Sequence, residues 1–268
     1  MKKFAISILG FWILAVLAGR ILQLTPNAIN LNAILSSPSL ITTSAAYLLG
    51  ADDLGRSILA RLLRGVEVSF IVTMVVTVVT MTIGVFIGLI AGFYGGKVDR
   101  ILMQITDIFL AFPGILLAIA FAAVLGPGLG NLIIALCLTG WVTYARLTRG
   151  QTLGLRNRQH VQAAESLGAS VPRLILLHIL PLLASVLVVE ATYSLASVMI
   201  AEASLSFLGL GIQGPNASWG AMLRDAVRYM LVAPHYVLIV GMSLMSLILA
   251  INLGGDYLRD KWDVRKVD

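Results

Sequence analysis

Long apolar runs separated by short polar segments form the main pattern of this chain. A helix needs about 20 apolar residues to cross a bilayer, where its backbone must satisfy its own hydrogen bonds. Runs near that length predict membrane-spanning helices at Phe4–Leu24, Phe70–Ala91, Thr106–Leu125, Leu129–Ala145, Leu182–Ala203 and Ala233–Leu253. The expected fold is therefore all-α: a polytopic membrane protein with about six transmembrane helices.

The spacing of these runs divides the chain unevenly. We expect residues 1–68 to form an N-terminal helix with an outer connecting segment, and residues 69–268 to form a five-helix core. The first run has the form of a signal peptide, because Lys2 and Lys3 precede its apolar centre. No convincing A-x-A cleavage site precedes Gly19, so we expect the segment to be retained.

Composition excludes a soluble domain, because 59% of the residues are apolar and only 12% are charged. Cys137 is the single cysteine, so neither an intrachain disulfide nor a cysteine-based metal site can form. A pI of 9.7 is also typical of nucleic-acid-binding proteins, but here the basic residues lie mainly at the ends of the apolar runs. We therefore expect the bilayer, and no nucleic acid, as the chain's surroundings.

The basic residues also predict an orientation. With the N-terminus inside, 13 of the 19 Lys and Arg residues fall on inside segments, which agrees with the positive-inside rule. Both termini and the polar segment Arg156–Pro181 are then cytoplasmic. Arg56, Arg61 and Arg64 disagree, but they lie in a long outer connection, where the rule is weaker.

The segment Arg156–Pro181 reads as a short amphipathic helix followed by a break. Val161, Ala164 and Leu167 fall on one predicted face, and the polar Gln162, Glu165 and Ser166 face away. Gly168 ends this helix, Pro172 starts the next helical stretch, and Pro181 marks the turn into the fifth span. The small residues Ala163, Ala164 and Ala169 allow another protein's surface to approach closely. The alternative is an ordinary polar loop between two helices.

Two carboxylates lie within the fifth predicted span, where an ionisable group is costly unless it faces protein or water. Glu190 lies in the middle of the span and Glu202 near its outer end. Either residue lines a pathway or pairs across a subunit interface; the alternative is a buried helix-to-helix hydrogen bond. Ser185, Ser194 and Ser197 add polar surface to the same span. In the second span, Gly84 and Gly88 show the spacing of close helix packing.

Motifs for chemistry on this chain itself are missing from the sequence. Gly95-Gly96-Lys97 is not a phosphate-binding loop, because the earlier glycine position is Ala91 and Val98 replaces the Ser or Thr. His160, His178 and His235 are scattered without ligand spacing, so we expect no metal site. We expect no catalytic residue and no bound cofactor on this chain.

Three segments together resemble one family, and the resemblance covers nearly the whole chain. Residues 49–61 read LGADDLGRSILAR, residues 202–211 read EASLSFLGLG with Trp219-Gly220 beyond, and the polar segment carries an Ala-Ala pair, a glycine and a Leu-Pro. This arrangement is similar to the permease subunits of ATP-binding-cassette (ABC) importers for dipeptides, oligopeptides or nickel, in their second-subunit branch. Departures are Gln162 at the acidic position of the "EAA" motif, and Ala51 and Ser57 in the outer segment.

The resemblance implies a coupling helix near residues 150–181 and a pathway in the spans. Contacts with an ATPase are implied for Val161, Gln162, Ala163, Ala164, Leu167, Gly168, Ala169 and Pro181. Pathway or interface positions are implied at Glu190, Glu202, Ser204 and Ser206.

The implied partners are a homologous second permease, two ABC ATPase subunits that carry ATP and Mg, and an extracytoplasmic substrate-binding protein. The implied location is the bacterial cytoplasmic (inner) membrane, and the implied substrates are di- or oligopeptides. Nickel or a metal chelate is the alternative substrate. Other classes are a self-contained channel or secondary transporter, for which we find no inverted repeat, and a membrane enzyme, which needs clustered catalytic groups.

Overall fold

The structure, a computed structural model, describes residues 2–39 and 45–262. Its helices are α1 (Lys2–Ile21), α2 (Ile58–Tyr94), α3 (Gly96–Leu110), α4 (Gly114–Leu125), α5 (Leu129–Arg156), α6 (Gln159–Ser166), α7 (Val171–Arg173), α8 (Leu180–Phe207), α9 (Trp219–Val227) and α10 (Pro234–Trp262). Single 3-10 turns occur at Leu31–Ala33 and Ala45–Tyr47. Strand pairing in the described ranges is limited to one bridge between Ala51 and Ser57. The predicted all-α class is confirmed.

Four helical stretches are long and apolar enough to span a bilayer: α2, α5, the stretch Val171–Phe207 and α10. Helices α3 and α4 reach this length only together, and α1 has a shorter apolar part, Ala5–Ile21. By length and composition the described residues therefore contain four to five spans. The count of six stays a prediction.

The third predicted span, Thr106–Leu125, is wrong as a continuous helix. Helix α3 ends at Leu110 and α4 begins at Gly114, with a bend of 82° between them. Pro113 explains the break, since proline lacks a backbone N–H and disfavours the helical conformation of the residue before it. Both halves are apolar, so hydropathy alone did not show the bend.

The sequence predicted a turn at Pro181 into the fifth span. Pro181 does lie in the first turn of α8, but the chain does not turn there. The chain is already helical from Val171, passes through a π-helical segment at Leu174–Ile179, and continues as α8. The Leu180 N–H donates to the Ile175 carbonyl five residues back, which is the wider π spacing. This change of register just before Pro181 accommodates a residue without a backbone donor, so the helix continues.

Helix α2 begins in the segment predicted as an outer connection. The Ser57 side chain accepts a hydrogen bond from the Ala60 N–H at 3.0 Å and caps the helix at Ile58. The helix then runs for 37 residues to Tyr94. The division expected between residues 68 and 69 therefore falls inside one helix.

Three glycines one turn apart bring α2 against α5. A Cβ at Gly84 would lie 2.4 Å from the Trp141 carbonyl oxygen, and one at Gly88 would lie 2.5 Å from that of Ala145. A Cβ added at Gly92 would likewise lie 2.7 Å from the Cβ of Thr152. The predicted close packing at Gly84 and Gly88 is present. Because the contacts advance together along both helices, α2 and α5 run in the same direction, and α3 and α4 carry the chain back between them.

A buried ionic cluster lies where the segment before α2 meets the first turns of that helix. The Asp52 carboxylate has no exposed surface. Its Oδ1 accepts from the backbone N–H groups of Leu54 and Arg56, at 3.0 and 2.8 Å, and its Oδ2 accepts from the Arg56 Nε at 2.7 Å. The Arg61 Nε lies 3.3 Å from the same Oδ2. Asp52 therefore connects the preceding segment to α2.

Candidate coupling helix and transmembrane groove

One buried side chain holds helix α6 against the end of α5 and the π-helical segment Leu174–Ile179 that leads into α8. Val161 is 1% exposed and packs in an apolar cluster with Leu155 of α5 and with Leu183 and Leu187 of α8. Ala164 is half-buried on the same side, as its spacing predicted. The amphipathic helix predicted in this segment is therefore present at Gln159–Ser166.

The sequence predicted that Leu167 shares the buried face of Val161. In the structure its side chain is 88% exposed. The reason is that α6 ends at Ser166, and Leu167 is the C-cap residue with a non-helical ψ of 5°. Gly168 follows with a φ of +84°, a left-handed conformation that favours glycine. The N–H groups of Gly168 and Ala169 donate to the carbonyls of Glu165 and Ala164, the pattern of a Schellman motif.

The outer surface of α6 combines small, polar and apolar groups. Gln162, Ala163, Leu167 and Gly168 are exposed, and Ala169 is half-buried. Pro181 is exposed at the start of α8. The largely exposed Leu167, next to Gly168, offers an apolar contact that no large neighbouring side chain blocks.

The junction from α5 to α6 is fixed to the neighbouring helices by three arginines. The Arg156 guanidinium donates to the Phe93 carbonyl and stacks 5.4 Å from the centre of the Phe93 ring. Arg149 forms an ion pair with Asp99 of α3. Arg146 forms a second ion pair with α3, at 2.6 Å from Asp107.

A groove of about 430 Å³ lies between α4, α5 and α8. Its polar lining consists of Thr139, Thr143, Tyr144, Glu190, Tyr193, Ser194 and Ser197. Tyr144 is 1% exposed; its hydroxyl neighbours that of Ser194, but in the described part of the chain no contact of it meets the geometry of a hydrogen bond. Glu190 is half-buried, and none of the ion pairs among the described residues involves it. The groove therefore contains polar groups with unused bonding capacity.

Glu202 lies in a different environment, inside the subunit. It has no exposed surface, and its carboxylate accepts hydrogen bonds from Ser69 of α2 at 2.8 Å and from Ser206 at 2.9 Å. The Ser206 Oγ also accepts from the Ile212 N–H at 3.3 Å. The alternative of a buried helix-to-helix hydrogen bond thus describes Glu202 in this conformation. Ser204 is half-buried and donates to the Ile200 carbonyl of its own helix at 2.8 Å.

Most of the predicted site residues occupy three places: α6 and its cap, the groove at Glu190, and the interior at Glu202 and Ser206. The other two lie apart, Pro181 in the first turn of α8 and Ser204 in a second groove between α8 and α10. Sequence reasoning missed the groove residues of α5, which include Thr139, Thr143 and Tyr144. The available signal was the spacing of four between Thr139 and Thr143 within an apolar run, which places both on one helix face. No group of three or more His, Cys, Asp or Glu residues is placed to hold a metal within residues 2–39 and 45–262.

Residues 84–263 match a family described as the binding-protein-dependent transport system inner membrane component. The chain belongs to this family. The matched range contains both α6 and the groove. This permease is a component of an ABC importer in the inner membrane, and ATP hydrolysis takes place on separate subunits.

Curated relatives agree with this assignment. The permease is 44% identical over 220 residues to the glutathione transport system permease protein GsiD of Escherichia coli O157:H7, covering 82% of this chain and 73% of that protein. Identity to the protein of the same name in Pectobacterium atrosepticum is 43%, with the same coverage. An inward-facing structure of the MetNI methionine ABC transporter superposes with a TM-score of 0.61 at 21% identity, covering 75% of this chain and 95% of that one. That likeness shows the fold alone.

Proposed function

We propose that this permease forms half of a translocation pathway for di- or oligopeptides, and that α6 transmits the movement of an ATPase subunit to the pathway. The observation that carries this proposal is the position of α6. It packs on α5 and on the π-helical segment Leu174–Ile179, which runs directly into α8. Helices α5 and α8 form walls of the groove, so a force on α6 is applied to α5 and, through this segment, to α8.

The path from α6 to the groove is a single helical stretch. Ile179, at the end of the segment that α6 contacts, and Glu190 are eleven residues apart, which is about 16 Å along a helix. Well-packed helices move as rigid bodies, because their contacts do not deform continuously. Displacement of α6 therefore tilts or rotates α8 and changes the groove's access.

The complete importer that we propose contains a homologous second permease, two ABC ATPase subunits with ATP and Mg, and an extracytoplasmic binding protein. Both termini and α6 lie in the cytoplasm. The distribution of basic residues supports this orientation, since most of them lie on the segments assigned to that side. The ATPase contacts the exposed face of α6 at Gln162, Ala163, Leu167 and Gly168, and Glu190 lines the pathway.

Peptides are the substrate class that the relatives support. Several relatives, the GsiD proteins, are named as permeases of a glutathione transport system. Glutathione is itself a small peptide. No observation on this chain favours nickel or a metal chelate.

The test is a reconstituted importer that carries Leu167→Asp. Placing a charge in an apolar contact is expected to reduce peptide uptake at least tenfold and to lower the recovery of the ATPase subunits, because an unpaired charge at a desolvated contact costs several kcal/mol. The second permease should still co-purify. Gln159→Ala, at the exposed start of the same helix, is the matched control and should behave as wild type. Normal uptake and normal ATPase recovery with Leu167→Asp would contradict the coupling role of α6.

A further inference from the structure

The groove between α4, α5 and α8 differs from its neighbour in charge. Glu190 is its one ionisable residue apart from two tyrosines, and its lining includes no Lys, Arg or His. A second groove, of about 660 Å³ between α8 and α10, has only Ser204 and Asn252 as polar lining residues. A single carboxylate surrounded by hydroxyl groups thus distinguishes the first groove.

Several hydroxyls of this groove have partners within the subunit, since Thr139, Tyr193 and Ser197 donate to the Leu136 carbonyl, the Asp256 carboxylate and the Tyr193 carbonyl. Glu190 and Tyr144 differ from them. Glu190 forms none of the ion pairs found among the described residues, although a carboxylate in the membrane needs protein or water around it. The nearly fully buried Tyr144 hydroxyl has the Ser194 hydroxyl as its neighbour, but no contact of Tyr144 meets the geometry of a hydrogen bond. Buried polar groups normally have partners, and one left alone costs about 1–3 kcal/mol. The free bonding capacity at both residues therefore indicates a ligand.

We propose that this groove binds the amino-terminal ammonium group of a peptide, with Glu190 as its counter-charge; the inference rests on the proposed function in peptide import. An ammonium group has three donors and no acceptor, so it matches a carboxylate beside hydroxyl oxygens. The Tyr144 and Ser194 hydroxyls supply further acceptors in the lining. Because the lining has no cationic side chain, the peptide's carboxyl end is not recognised here.

A metal cation fits the groove less well. Transition metals are held by several His, Cys or carboxylate ligands, and the described residues contain no cluster of three such side chains. Glu190 is the one strong ligand in this lining. An ammonium group needs only one opposite charge and a few neutral acceptors.

The test measures direct binding of trialanine to the purified importer complex without its binding protein, by saturation-transfer NMR at millimolar peptide. The ligands are free trialanine, N-acetyl-trialanine and trialanine amide. We expect the free and amidated peptides to bind about tenfold more tightly than the acetylated one, as for one charge-assisted hydrogen bond. In Glu190→Gln this preference should disappear. Asp107→Asn, which removes an exposed carboxylate of α3 outside this groove, is the matched control and should keep it.

Equal binding of the acetylated and free peptides to the wild-type complex would overturn the proposal, as would a preference that survives in Glu190→Gln. Tyr144→Phe provides a second variant if Glu190→Gln does not assemble. It should weaken binding of the free peptide about threefold, and unchanged binding would count against the site. ATP-driven uptake by the wild-type importer is measured separately. Failure of that uptake with every peptide would reject the peptide-import function, whereas lost acetyl discrimination rejects only the ammonium site.

Discussion

Replacement of Asp52 by alanine tests the ionic cluster that holds the segment before α2. The carboxylate has no exposed surface, and Arg61, which it faces, is 2% exposed. Asp52→Ala removes three hydrogen bonds, from two backbone N–H groups and the Arg56 guanidinium, and leaves two arginines without their shared counter-charge. Arg61 pairs with Asp52 by charge alone, since its Nε has no hydrogen-bond partner.

The expected cost follows from the burial of these charges. Removing one partner of a buried ion pair typically costs about 3–5 kcal/mol, because the remaining charge stays buried and unpaired. Every 1.4 kcal/mol changes an equilibrium tenfold, so the segment should open roughly two to three and a half orders of magnitude more often. The effect is local, because the bonds join residues 52 to 61.

Hydrogen exchange followed by mass spectrometry measures this opening on peptides that cover residues 49–57. The amides of Leu54 and Arg56 are the direct reporters, since both donate to the Asp52 carboxylate. Asp53→Ala is the matched control on the neighbouring residue. The Asp53 Oδ1 has no hydrogen-bond partner and lies 3.7 Å from the Arg56 Nη2, so its loss should not increase exchange. Exchange in Asp52→Ala within threefold of wild type, or equal to that in Asp53→Ala, would refute the role of the cluster.

Three further predictions concern packing and protonation. Gly88→Ala should lower the stability of the detergent-solubilised protein by about 1–3 kcal/mol, because the added Cβ would lie 2.5 Å from the Ala145 carbonyl oxygen. Gly150→Ala is the control, since an added Cβ there meets open space and should not lower stability. Equal melting curves for the two variants would contradict the close packing. Glu202→Ala should destabilise by a similar amount, since the Ser69 hydroxyl loses its buried acceptor, and Glu202→Gln should restore most of the melting temperature. Burial, with Asp52 and Asp225 nearby, raises the pKa of Asp53 above its usual 3.8. The ionised form is therefore disfavoured in the folded state. Protection of the amides in residues 49–57, taken relative to their intrinsic exchange rates at each pH, should rise as the pH falls through the raised pKa. Asp53→Asn should remove this rise, and its persistence there would assign it to another group.

The sequence predicted features that depend on local rules. Membrane helices, the amphipathic α6 and its glycine stop at Gly168 follow from apolar run length, helical spacing and backbone freedom, which neighbouring residues decide. The family also followed, because three motifs lie in the right order along the chain. The close approach at Gly84 and Gly88 was indicated by a spacing of four, although the partner helix was not.

Other predictions failed where one residue decides the local geometry. The apolar pattern crosses Pro113 without interruption, so hydropathy predicted one span where the structure has a bend of 82°. The proline itself predicted a turn at Pro181, but a π-helical segment just before it keeps the chain helical. Leu167 has helical spacing but lies beyond the last helical residue, which leaves it exposed.

The class of this protein, an all-α inner-membrane permease with a short polar helix between long apolar ones, followed from its residues alone. The packed structure was needed to separate Glu190, beside Tyr144 in a groove, from Glu202, which is bonded between α2 and α8. Both are single carboxylates on the same apolar helix. In a bilayer, lipid-facing and protein-facing positions are equally apolar, so hydropathy carries little information about which side of a helix faces a neighbour. That choice depends on contacts between helices distant in the chain.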